Sequence, residues 1–112
     1  MIFEYDPKKS EANKAKHGID FEEAKALWNV VGLMARSDRG TEVRYLRIAR
    51  SKDGALWSAV YTHREANVRL ISVRRSNQIE REAYEIIISD FLEPQMEEQE
   101  LENQRKHVSP FN

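Results

Sequence analysis

Two adjacent β-forming runs constrain this chain more than any other feature. Residues 55 to 63 and 68 to 75 are rich in Val, Ile, Tyr and Trp, and the polar stretch Arg64-Glu65-Ala66-Asn67 separates them. β-branched and aromatic side chains suit a pleated, half-buried surface, and a short polar break between two such runs marks a hairpin. A third run, Val43 to Arg50, comes before them, and the intervening Ser51-Lys52-Asp53-Gly54 ends in Asp-Gly, a pair that accepts positive φ. Together the runs predict an antiparallel meander. His63, Arg64, Arg69, Arg74 and Arg75 decorate the hairpin. A guanidinium is a planar fork that stays charged and donates two parallel hydrogen bonds, so a sheet carrying several is a candidate surface for phosphate.

Helical signals flank the meander. Ile2 to Tyr5 alternates like an edge strand, and Asp6-Pro7 supplies an N-cap followed by proline at the first helical position. The helix predicted from Lys8 to His17 ends at Gly18, with Ala12 and Ala15 as its thin apolar face. A second start follows, with Asp20 capping, Glu23 three residues on, and Phe21, Ala24, Leu27 and Trp28 at helical spacing. Val30 to Ala35 reads as a short strand. Asn77 and Glu80 cap a third helix, whose expected buried stripe is Ile79, Ala83, Ile86, Ile87 and Phe91. Past Leu92 the pattern fades into Gln and Glu. The expected organisation is an α+β domain over 1–92, with N-terminal helices, the meander and a C-terminal helix, then an acidic, weakly structured tail over 93–112.

A chain of 112 residues suits one domain. It has no apolar run of the roughly 20 residues that a bilayer span needs and no signal-peptide pattern at Met1, so no membrane role and a cytoplasmic location are expected. With no cysteine and three histidines, neither thiolate chemistry nor a metal or other cofactor is expected. The net charge of −1 hides a split: residues 36 to 75 hold ten basic groups against four acidic ones, whereas 93 to 112 hold five Glu against Arg105 and Lys106. A basic middle and an acidic end suggest a polyanion-binding surface with a separate tail.

The landmarks fall in a known order. Phe3-Glu4-Tyr5-Asp6-Pro7-Lys8-Lys9, Asn13, Lys16-His17-Gly18-Ile19-Asp20-Phe21-Glu22-Glu23-Ala24, Glu42-Val43-Arg44, Val60-Tyr61-Thr62-His63-Arg64, Arg69-Leu70-Ile71-Ser72-Val73-Arg74, and Glu80-Arg81 with Tyr84 resemble the BrnT toxins of type II toxin–antitoxin systems. The resemblance covers about residues 2 to 84. It departs from the family at Tyr5, where Trp is usual, at Trp28-Asn29-Val30, where Asp-Pro is common, and in a chain that runs past the family's typical end. The resemblance implies a RelE-like ribonuclease-toxin fold and inhibition of translation by RNA cleavage. It also implies a BrnA-like antitoxin whose ribbon-helix-helix half brings the complex to operator DNA, a homodimer within that complex being open.

Metal-free cleavage by transesterification needs a group to take the 2′-hydroxyl proton, cations for the phosphorane and an acid for the leaving 5′-oxygen. Arg64, Arg69 and Arg74 are the candidates for phosphate, and His17, within the Lys-His-Gly motif, for proton transfer. Lys16, Arg75 and Glu80 complete the expected RNA-binding set. Each has a plainer reading. A histidine before a C-cap glycine is favoured there by the helix dipole; Arg69 and Arg74 could be solvated or paired with Glu80; and Glu80 fits a capping box. Trp57 and Tyr61 could stack bases, though alternate strand positions suit the core. A non-catalytic module that binds RNA or the antitoxin, and acts through operon autoregulation, is the alternative to an endoribonuclease.

Overall fold

The computed structural model describes residues 1–38 and 40–91. The expected tail over 93–112, with His107, lies outside the described residues. β1 (Phe3–Glu4) leads into α1 (Pro7–His17); α2 (Phe21–Ala24) continues as a 3₁₀ turn, Lys25–Trp28. β2 (Gly32–Arg36), β3 (Tyr45–Arg50), β4 (Leu56–Arg64) and β5 (Asn67–Arg75) follow, and a third helix, α3, occupies 78–91.

The five strands form one sheet in the order β1-β5-β4-β3-β2. The meander β3-β4-β5 is antiparallel as expected, and β2 extends it in the same sense. The sheet is nevertheless mixed, because β1 lies parallel to β5 through Phe3 opposite Val68 and Glu4 opposite Arg69. Parallel neighbours need a long crossover, and here everything from α1 to β4 supplies it. Two helical layers cover the sheet. α1 and α2 pack on one face, where Phe21, Ala24, Leu27, Trp57, Ala59, Tyr61, Val68, Leu70 and Val73 form the main core. On the other face Tyr84 of α3 packs with Ile48 and Leu56, and Ile88 joins them.

The helix caps form as the sequence dictates. The Asp6 carboxylate accepts from the Lys8 N–H at 2.9 Å, Pro7 takes the first turn, and Gly18 closes α1 at φ +83°. Asp20 and Glu23 make a reciprocal capping box. The inner faces differ from expectation. Ala12 and Ala15 of α1 are exposed, and its inward stripe is polar: Ser10, Asn13 and half-buried His17, at helical spacing. The Ser10 hydroxyl accepts from the Phe21 N–H at 2.9 Å. The Asn13 amide donates to the carbonyls of Ile19 and Val73, both at 2.8 Å, and its oxygen accepts from the Val73 N–H at 3.2 Å. One buried side chain thus pins α1 both to its following loop and to β5.

On α3 the expected stripe is also displaced. Ile79 is 77% exposed, Ile86 63% and Phe91 60%, and Ile87 also faces solvent, while Glu80, Tyr84 and Ile88 turn inward. The helix is held by the Glu80 ion pair at its start, and the line Glu80, Tyr84, Ile88 that faces the sheet is one residue, about 100° of rotation, away from the apolar line through Ile79 and Ile87.

Candidate nucleic-acid interface

A β-bulge in β5 decides which side chains share a face. Val60 of β4 is opposite Ser72 and Tyr61 is opposite Leu70, so Ile71 is the extra residue. Before the bulge Val68 and Leu70 face the main core; after it Val73 does. Strict alternation would put Arg69 and Arg74, five positions apart, on opposite faces. The bulge resets the parity and turns both toward α3, while Arg75 is sent to the α1/α2 side, its guanidinium 4.7 Å from the Trp57 ring centroid. Arg64 lies on the same face as Arg69: its register partner is Asn67, and Arg69 is opposite Thr62.

This face carries a cavity of about 470 Å³. Leu46, Val60 and Ile71 floor it. Arg44 and Ser37 stand at one end, and Arg74, Asn77 and Glu80 at the other. Arg74 is committed: its Nη1 and Nη2 donate to the two Glu80 oxygens at 2.7 and 2.9 Å. Glu80 also accepts from the Ser58 hydroxyl and the Asn77 N–H, each at 2.9 Å. The Arg74 hydrogen bonds come first among the causes that hold the Glu80 carboxyl down, to about 2, with the Asn77 and Ser58 bonds adding to them and burial opposing. Arg74 itself is pushed up by Glu80. Glu80 therefore both caps α3 and anchors Arg74, two of the plainer readings realised together. As a carboxylate so weakly basic, it is a poor proton acceptor.

The remaining basic groups divide. Arg69 sits 3.9 Å from Glu4, a loose contact, and Glu4 accepts from the Asn67 amide at 3.2 Å. Arg64 is exposed. Arg44, not among the residues expected to bind RNA, has a buried Nε with no hydrogen-bond partner among the described residues, and its nearest carboxylate is Glu42 at 3.6 Å. Arg47 lies on the other face, donating to the carbonyls of Leu27 and Val30 at 2.8 and 2.7 Å, and serves structure. A Cβ at Gly32 would come within 2.9 Å of its guanidinium carbon.

The expected constellation is thus split by the sheet. Arg64, Arg69 and Arg74 share the α3 side, although Arg69 and Arg74 are five residues apart, roughly 16 Å at ~3.3 Å per residue. His17 and Lys16 belong to α1, on the opposite side, and Arg75 is there too. The base-stacking reading of Trp57 and Tyr61 gives way to the core, where both are buried. Among the described residues no group of three or more His, Asp or Glu is placed to hold a metal ion, and no helix is long and apolar enough to cross a membrane.

The fold has a solved counterpart. The crystal structure of the Brucella abortus ribonuclease toxin BrnT, at 1.1 Å, matches with a TM-score of 0.53 and 18% identity, over 70% of this chain and all of that one. At that identity the match speaks for the fold. The family model described as "Ribonuclease toxin, BrnT, of type II toxin-antitoxin system" matches residues 5–80, well over half of the sequence, and the chain belongs to that family. Among curated proteins none matches.

Proposed function

We propose that this chain is an endoribonuclease that acts in the cytoplasm, cuts RNA by metal-independent transesterification on the α3 side of its sheet, and so inhibits translation, as the RelE-like toxins are expected to do. The observation that carries the reading is the turning of Arg64, Arg69 and Arg74 onto one face of the sheet, with Arg74 at the end of a cavity there. In the reaction the 2′-oxygen bonds to phosphorus and the P–O5′ bond breaks, the departing 5′-oxygen taking a proton from solvent water, which leaves a 2′,3′-cyclic phosphate and a 5′-hydroxyl. Arg64 and Arg69 approach the phosphate directly; Arg74, held by Glu80, lends positive potential from a fixed position. His17 and Lys16 sit across the sheet from these arginines, and that face shows no histidine among the described residues. The 2′-hydroxyl proton accordingly passes to solvent, so the rate should rise about tenfold per pH unit between pH 6 and 8. A plateau near the ordinary histidine range would instead point to His17 or His63.

As a type II toxin family member the chain implies an antitoxin. We assign a BrnA-like, ribbon-helix-helix antitoxin, through which alone operator DNA is reached, to the apolar line Ile79, Ile86, Ile87 and Phe91. Contiguous exposed apolar side chains mark protein contacts, and Glu82, Glu85 and Asp90 along the same helix favour a basic partner segment.

The capture of Arg74 by Glu80 favours one second reading, a module that binds RNA or antitoxin without cutting. Purified chain incubated with RNA, beside Arg64→Ala/Arg69→Ala, separates them. Products with cyclic phosphate ends that vanish in the variant support the nuclease; binding without cleavage in both supports the module.

A further inference from the structure

We propose that the cavity between Arg44 and the Arg74–Glu80 pair receives a single unstacked nucleotide of single-stranded RNA, its base on Leu46, Val60 and Ile71 and its phosphate on Arg44. The proposal rests on the RNA-cleaving reading above and adds to it a subsite, a residue and a substrate form.

Three observations point the same way. The volume, about 470 Å³, lies within the range of ~300–1,000 Å³ typical of small-ligand pockets. The floor is apolar, which suits the flat face of a base better than a bare anion. Leu46 is opposite Val60 and Val60 opposite Ser72, so the floor crosses three strands, about 10 Å at ~4.8 Å per spacing. The third is Arg44. Arg74 is held by Glu80 through one N–H of each Nη, whereas the Arg44 Nε is buried beside the cavity without a hydrogen-bond acceptor among the described residues. A buried guanidinium nitrogen with no partner is costly, and a phosphate oxygen at the cavity rim would satisfy it while the fork's outer nitrogens reach a second oxygen. Ser37 at the edge and Ser72 beside Val60 add neutral donors and acceptors, and Glu42, 3.6 Å from Nε, orients the fork without a close hydrogen bond.

A base can enter such a slot only when it leaves its stack, and paired bases leave it less readily. The site therefore selects single strands through the cost of unpairing rather than by reading a groove.

The test uses a 5′-fluorescein-labelled single-stranded DNA hexamer, which lacks the 2′-hydroxyl and cannot be cut by this chemistry. Anisotropy titrations with the full chain should show binding at least about tenfold tighter to the hexamer than to the same sequence in duplex form, since paired bases must first be extruded. Arg44→Ala and the slot-filling Val60→Phe should each weaken hexamer binding about tenfold or more, with Arg44→Lys in between because it keeps charge and loses the fork. Uridine monophosphate should displace the hexamer at lower concentration than inorganic phosphate. Equal binding of single strand and duplex by the unaltered chain, or equal competition by the two small anions, overturns the proposal without any variant. Unchanged binding in Arg44→Ala and Val60→Phe does so as well. Because the probe is uncleavable, hexamer binding of the expected pattern without RNA cleavage would remove the nuclease reading and leave the subsite standing.

Discussion

Glu80 does the work of four contacts at once, accepting from Arg74 twice, from Ser58 and from the Asn77 N–H. Its carboxyl falls from an ordinary value near 4.5 to about 2. A depressed carboxylate contributes stability that is complete above its unfolded pKa and lost as the pH falls through the folded one. The window is therefore pH 4.5 to 2. Allowing for solvent at the cavity mouth, the contribution is on the order of 2 kcal/mol. Glu80→Gln should lose about that much at pH 7 in urea unfolding, and should no longer lose that share between pH 5 and pH 2. Asn13 is the counterpart on the other face. Asn13→Ala strands the Val73 and Ile19 carbonyls and the Val73 N–H in a buried site, and should cost about 2–3 kcal/mol. A loss under 1 kcal/mol would mean that the pin is dispensable.

At the scale of elements, caps and strands were legible in the sequence and faces were not. Asp6-Pro7, Gly18, the Asp20 and Glu23 pair and Asn77 with Glu80 each announce a helix terminus through short-range hydrogen bonding, and each acts as it reads. Burial depends on tertiary partners instead. α1 turns Ser10 and Asn13 inward because their polar atoms find backbone to satisfy, a gain that Ala12 and Ala15 cannot match. α3 turns toward the sheet through Glu80 and Tyr84, leaving its richest apolar line outside. The bulge at Ile71 is equally silent in the sequence, yet it determines which arginines are neighbours. These assignments separate two substitutions. Tyr84→Ala, at a buried contact with Ile48 and Leu56, should cost about 3 kcal/mol. Ile86→Asp should change the stability of the isolated chain by less than about 0.5 kcal/mol while weakening antitoxin capture, as calorimetry with the purified partner would show. A fall in melting temperature for Ile86→Asp as large as for Tyr84→Ala would show that the helix is seated the other way round.

Across the whole molecule, the net charge of −1 conceals a polarised surface, and affinity for RNA should come from that local field. If Arg44, Arg64 and Arg69 each meet a phosphate, log K should fall against log salt with a slope of roughly −2, near −0.7 per contact on a single strand. Lys16, His17 and Arg75 stand on the other side of the sheet and should not enter that slope. The family resemblance was readable because motifs spread from Phe3 to Tyr84 keep their order. Arg44 stood within one of those motifs, but its role was hidden because an unsatisfied donor is a property of packing. The most direct test of the account is the cleavage rate of two variants on one RNA substrate. Arg64→Ala/Arg69→Ala should lower it about a hundredfold, and Lys16→Ala/His17→Ala/Arg75→Ala should leave it within about twofold. The opposite ranking would contradict the assignment of cleavage to the α3 side of the sheet.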